Sequence, residues 1–194
     1  MAATLLLASN SPRRRDLLQE AGFDFAIKAP QINERFDSDL TLREITALNA
    51  TRKGFAVARE FPRKVVLASD TLVAFEQRVI GKPANLKEAA EILRLLSGKT
   101  HQVCSAVFIC QSAKNRSLLL HEISQVRFHA LSDTAIADYF RKINPLDKAG
   151  AYAAQGQGRD IIAAIEGSYT NVVGLPMEQT VPALAEFGIR PRSA

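Results

Sequence analysis

With 47% hydrophobic and 23% charged side chains, a chain of 194 residues has the make-up of a soluble globular protein, which excludes extensive disorder and leaves ample material for a core. The net charge of +5 is dispersed, with basic residues beside Gly, Ser and Pro turns at 13–15, 82, 99 and 148, favouring a small anionic ligand over a nucleic-acid complex. No stretch approaches the roughly 20 apolar residues of a membrane span, and Met1–Ala8 is too short and lacks the basic start of a signal peptide, so a cytoplasmic protein without a membrane partner is expected.

Residues 4–8 predict a strand that feeds a helix over 12–21 through the turn SNSPRRR, Ser9 to Arg15. Pro12 suits the first helical position and Ser11 the cap before it, which leaves backbone N–H groups pointing outward at a terminus that attracts anions. Three arginines there oppose the helix macrodipole, so a bound polyanion explains them better than helix energetics do; a solvated basic face is the alternative. A strand over 24–28 and a long helix from Thr41 to Glu60 follow, the helix opened by a Thr41/Glu44 capping box. VVLAS at 65–69 predicts a central strand that places Asp70 at its carboxyl end, with LVAF as a hairpin-like continuation and a turn at 76–78. A helix over 86–97 has Asn85 as its cap, Gly98 as its stop and an apolar face of Ala89, Ile92, Leu93 and Leu96.

Strands over 100–110 and 117–129, separated by QSAKNR, predict an antiparallel pair that mixes the sheet. Cys104 and Cys110 match neither a disulfide framework nor a zinc spacing and are expected as reduced core residues. Ser132 and Asp133 open a helix to Lys142, and Pro145–Gly158 has the Gly, Pro and polar content of a functional loop. A strand over 159–165, the turn GSYTN and a last helix over 176–187 interrupted by Pro182 complete one domain spanning 1–194.

Asp70, at the rim where α/β sheets place their ligands, is the candidate general base or metal ligand, and Thr71 faces the opposite side of the strand. Glu34, in the loop PQINERF, could converge with Asp70 on a hard divalent cation. Lys53, beside a Gly54 that permits close backbone approach, and Lys82, in a rigid GKP turn, are candidate phosphate ligands as mobile point charges. Gln155 offers a donor and an acceptor from one amide, the pattern that reads a base edge. No GxxxxGK[ST] loop is present and no GxGxxG follows the first strand, and His101, His121 and His129 are scattered, so carboxylate, metal and cation chemistry remains.

Taken together, SNSPRRRDLL, SDT, GKP, SGKTHQV, DKAGAY with QG, and GSYTNVVGLP closely resemble the Maf-like nucleoside triphosphate pyrophosphatases, in that family's order and over nearly the whole chain. The resemblance implies an elongated mixed α/β fold akin to the inosine triphosphatase (Ham1) group, two lobes flanking a cleft, homodimers among its members, and hydrolysis of a nucleoside triphosphate to monophosphate and pyrophosphate. It implies Asp70 as proton acceptor, Arg13, Thr71 and Gln155 as substrate-discriminating positions, and Ser9, Arg14, Glu34, Lys53 and Lys82 as further polar cleft residues. Arg, Thr and Gln at the discriminating positions are similar to the dTTP/UTP-hydrolysing branch. In HQVCS, Ser105 stands where that family often has threonine. The expected cofactor is Mg²⁺ or Mn²⁺ on Glu34 and Asp70, and the expected partner a nucleoside triphosphate. The rival readings are a non-hydrolytic nucleotide- or nucleic-acid-binding regulator of cell division and a pyrophosphatase for non-canonical purine nucleotides.

Overall fold

The computed structural model describes residues 4–37, 39–76 and 78–192. Short runs of aliphatic residues build its sheet: β1 (Leu5–Leu7), β2 (Phe25–Ile27), β3 (Val65–Phe75), β4 (Arg78–Ile80), β5 (Thr100–Gln111), β6 (Arg116–Phe128) and β7 (Ile162–Glu166). Among the described residues these form one seven-stranded mixed sheet in the order β2-β1-β3-β5-β6-β7, with β4 hairpinned onto β3. β1 is parallel to β2 and to β3, and every other pairing is antiparallel. The helices are α1 (Pro12–Glu20), α2 (Leu42–Glu60), α3 (Leu86–Leu96), α4 (Asp133–Lys142), α5 (Tyr169–Val173) and α6 (Met177–Glu186).

Three of the four N-caps read from the sequence form as expected. Thr41 and Glu44 make the reciprocal capping box of α2, and Asn85 and Ser132 accept from the third residues of α3 and α4. Each such cap is worth about 1 kcal/mol. Ser11 holds the cap position of α1 but makes no side-chain cap bond. The turn expected at GSYTN is instead the first turn of α5, because the Ser168 hydroxyl accepts from the Asn171 N–H and starts a helix. α6 runs on through Pro182.

One sheet face is covered by α2, whose small residues Ala50 and Ala58 meet Ala68, Ala106 and Phe108. Gly54 is required there by a side chain instead of a backbone: a Cβ at this position would lie 2.4 Å from Phe108 Cδ1. The opposite face carries α1 and α6, packing Leu18, Leu184 and Phe187 around Leu5, Leu7 and Leu67. A separate cluster, with Leu93, Leu96 and Ile136 from α3 and α4, surrounds Val73, Val103 and Phe128. Both cysteines are buried and free. No helix of the described residues is long and apolar enough to cross a membrane.

The largest departure from expectation concerns β3, which does not end before Asp70 but continues to Phe75, so Asp70 lies in mid-strand. One edge of β3 pairs with β1 at 65–67 and with β4 at 73–75, leaving a gap between them. The other edge is paired with β5 throughout 66–74. A ligand site at the carboxyl end of a strand is thus present, but the strand that ends there is β1.

His101 on β5 is 1% exposed, wedged edge-on between Phe128 and Tyr152, with Nε2 2.9 Å from the Tyr152 hydroxyl. Burial pushes its pKa down to about 4. The unfolded chain therefore binds a proton that the native state refuses, so stability is lost as pH falls from 6.5 towards 4, by about 3 kcal/mol if His101 acts alone. His101→Gln should flatten the dependence of the urea midpoint on pH across this window; a slope identical to that of the parent would contradict the assignment.

Candidate functional site

A cavity of about 390 Å³ opens at the gap on β3, between the β1–α1 turn, the loop preceding α2, the β4–α3 turn, the loop at 147–154 and α5. This is within the usual range for a small-molecule site. Strand alternation at the gap sends neighbouring side chains to opposite faces. Asp70 faces α2, and Thr71 faces Arg14 and Gly174.

On the α2 side, Lys53 Nζ donates to Asp70 Oδ1 at 2.5 Å and to Glu34 Oε1 at 2.6 Å. Asp70 is 2% exposed and Lys53 9%, so this carboxylate–ammonium–carboxylate bridge is largely withdrawn from water. Burial opposes the ionisation of Glu34, but Lys53, Lys82 and Arg14 override it and hold the carboxyl below its ordinary value. Asn49, one helical turn before Lys53, is wholly buried. Its amide pairs with both the N–H and the carbonyl of Arg35, at 2.8 and 3.0 Å, and its Nδ2 also lies 3.4 Å from Asp70 Oδ2. Arg52 holds the carbonyl of Asn33. Successive residues of the Glu34 loop are thereby docked onto α2.

On the other side, the Arg14 guanidinium is a fixed clamp. Its Nε donates to the carbonyl of Gly174 at 2.8 Å, Nη1 to Ser69 O and Ser9 Oγ, and Nη2 to Thr71 Oγ1 at 3.0 Å. Burial lowers its pKa, partly offset by attraction to Asp70. Gly174 has φ of +124°, a conformation closed to larger residues, and a Cβ there would also crowd Arg14 and Thr71. Arg13 reaches Asp147 at 3.2 Å, and Asp147 also pairs with Lys148, so the loop expected to be functional is latched to the arginine turn. Burial opposes ionisation of Asp147 too, and Lys148 and Arg13 hold its pKa low.

Eight of the nine residues singled out from the sequence as site positions are walls of this cavity. Ser9, Arg13, Arg14, Glu34, Lys53, Asp70, Thr71 and Lys82 all line it, Lys82 as an exposed side chain at the rim. Ser105, noted for its departure in HQVCS, lies behind the wall, bonded to Thr71 and fully buried. Gln155 is the exception: Ala153 and Ala154 line the cavity and Gln155 lies just beyond them. Residues that sequence reasoning missed are Asn49, whose i,i+4 spacing to Lys53 on a buried helix face was the available signal, and Ile32 and Phe36, which add apolar wall.

Among the described residues no group of three or more His, Cys, Asp or Glu is placed to hold a metal. What the site offers is two carboxylates whose oxygens converge on one cation, at present the Lys53 ammonium. That donor set fits Mg²⁺ or Mn²⁺, which are held by one or two carboxylates together with substrate phosphates, and does not fit an all-protein cage.

A family model described as Maf-like protein matches residues 4–187. A protein of Bacillus pumilus (strain SAFR-032) named dTTP/UTP pyrophosphatase is 42% identical over 187 residues, covering 96% of this chain and 98% of its own. Its namesake in Symbiobacterium thermophilum is 41% identical over 184 residues, covering 95% and 94%. The solved structure of the Staphylococcus aureus Ham1 protein aligns over 81% of this chain and 79% of its own, with a TM-score of 0.47 and 13% identity.

Proposed function

From the premise that this chain belongs to the Maf-like protein family, we infer that it is a nucleoside triphosphate pyrophosphatase acting on dTTP and UTP. Its relatives at about 40% identity carry that name. The observation that carries the reading in this molecule is the buried bridge of Asp70, Lys53 and Glu34 facing an arginine- and lysine-lined cavity. A pure anion binder gains nothing from two carboxylates among its cations, whereas a hydrolase needs a base where the phosphates lie.

In this reading the triphosphate lies across Ser9, Arg13, Lys53 and Lys82, with the uncapped N–H groups of α1 facing its charge. Water attacks the α-phosphorus while the Asp70 carboxylate takes its proton. The bond from that phosphorus to the bridging oxygen breaks, and pyrophosphate leaves with the electron pair. Lys53 and Lys82 stabilise the charge that builds on the departing group, typically a large term in phosphoryl transfer. Glu34 and Asp70 would hold the divalent ion, which supplies further charge neutralisation when bound. Arg14, with four of its five N–H groups committed to the protein, fixes the pocket wall more than it follows the ligand.

Purified protein with Mg²⁺ should release pyrophosphate from dTTP and UTP in preference to purine triphosphates. Release chiefly from purine substrates, or from none, would overturn the assignment. Lys82 is exposed at the rim, so Lys82→Ala should act mainly on binding, raising KM for UTP about tenfold, the loss of one charge-assisted contact. Unchanged KM and kcat would remove Lys82 from the site.

A further inference from the structure

Thr71 belongs to a chain of hydroxyls whose proton directions can be worked out. Ser105, opposite Thr71 in the β3–β5 register, is wholly buried and donates to the main-chain carbonyl of Asn171 at 3.2 Å. With that proton committed there, we assign the 2.8 Å contact between the two hydroxyls, in which either oxygen could donate, as running from Thr71 to Ser105. Among the described residues the only other acceptor for Thr71, the Gly174 carbonyl, is farther at 3.3 Å and already takes bonds from Arg14 Nε and Ser69 Oγ. On its accepting side Thr71 receives Arg14 Nη2 at 3.0 Å. A hydroxyl has one proton and two lone pairs. The Thr71 proton and one lone pair are therefore consumed by the protein, and one lone pair remains.

We propose that Ser105, without touching substrate, polarises Thr71 into an acceptor-only group, and that this selects pyrimidine bases bearing an N–H at ring position 3 over those with a lone pair there. The proposal deepens the dTTP/UTP reading and rests on it. The wall around Thr71 is apolar, with Val73, Val103, Val172 and Tyr152 lining the same cavity, which suits a planar base. Uracil and thymine present N3–H to a lone pair and are accepted. Cytosine presents a lone pair to a lone pair, and the buried wire denies Thr71 the rotation that would let it donate. Ser105 is thus a positioning residue and Thr71 the contact residue.

The test is the ratio of kcat/KM for UTP over CTP, measured on the full chain with Mg²⁺. A site built around one such hydrogen bond discriminates by on the order of a hundredfold or more. Ser105→Ala frees the Thr71 proton and should lower the ratio at least tenfold, largely by admitting CTP, while Ser105→Thr keeps the hydroxyl and should retain it. Thr71→Val removes the lone pair with little change of shape and should lower the ratio through loss of UTP, while Thr71→Ser retains it; this pair decides the matter if Ser105→Ala does not fold. A parent enzyme that cleaves UTP and CTP equally, or a ratio unmoved in both Ser105→Ala and Thr71→Val, would overturn the proposal and leave the pyrophosphatase assignment standing. A parent that cleaves no pyrimidine triphosphate would overturn the underlying reading itself.

Discussion

Asp70→Asn should lower the turnover of UTP by about 10² to 10⁴-fold, the usual contribution of a positioned general base, while the triphosphate still binds. Asparagine keeps the size and planar shape of the side chain, so the buried strand position and its packing survive. What disappears is the proton acceptor and one negative charge 2.5 Å from Lys53. Lys53 remains anchored to Glu34 at 2.6 Å and so stays in place to meet phosphate. Binding of UTP, followed calorimetrically on the slow variant without a divalent ion, should be equal to or tighter than that of the parent, because a carboxylate facing the phosphates has been removed. This separation of rate from affinity distinguishes a base from a structural residue. Turnover within a few-fold of the parent would eliminate Asp70 as the base, and a loss of binding equal to the loss of rate would show that it acts by holding the ligand.

The carboxylate bridge was legible in the sequence as residue types but not as an arrangement. Thr41, Asn85 and Ser132 revealed three helix starts because a cap is a local contract between residues three apart. QSAKNR likewise marked the β5–β6 connection. The misreading of β3 has a physical cause: Ser69, Asp70 and Thr71 interrupt an apolar run, and polar residues in mid-strand are costly unless tertiary partners satisfy them. Here Lys53 supplies the partner on one face and Arg14 on the other, from segments 17 and 57 positions away. Nothing local announces such partners. Ser105 illustrates the same limit, since its meaning depends on standing opposite Thr71, which only the β3–β5 register decides. The short α5 was hidden because five residues are too few to show a helical period. Gln155 was read as a base-reading amide from its neighbours, and the backbone carries it just past the wall those neighbours form.

Lys53→Met should destabilise the protein at neutral pH by about 3 to 5 kcal/mol, because breaking a buried ion pair from one side leaves uncompensated charge. Methionine fills similar space without a donor, so the loss reports charge and not a cavity. Asp70 and Glu34, both brought to Lys53 Nζ, would then face one another with no cation between them. The sign of the pH dependence should reverse as a result. In the parent, Glu34 is held below its ordinary pKa, so its contribution is present above the unfolded-state value and is lost as pH falls through the folded-state value. In the variant, burial and repulsion from Asp70 act on Glu34 against Lys82 and Arg14 alone and raise its carboxyl above the unfolded-state value. The folded form then binds more protons than the unfolded form, and stability is regained as the pH is lowered from 7 towards 5. His101 slopes the other way in both proteins, so the decisive quantity is the difference between their urea midpoints at each pH. Adding Glu34→Gln to Lys53→Met removes the repulsion and should recover part of the lost stability. A lysine that served only to bind phosphate predicts something else entirely: a higher KM for UTP, with stability and its pH dependence unchanged.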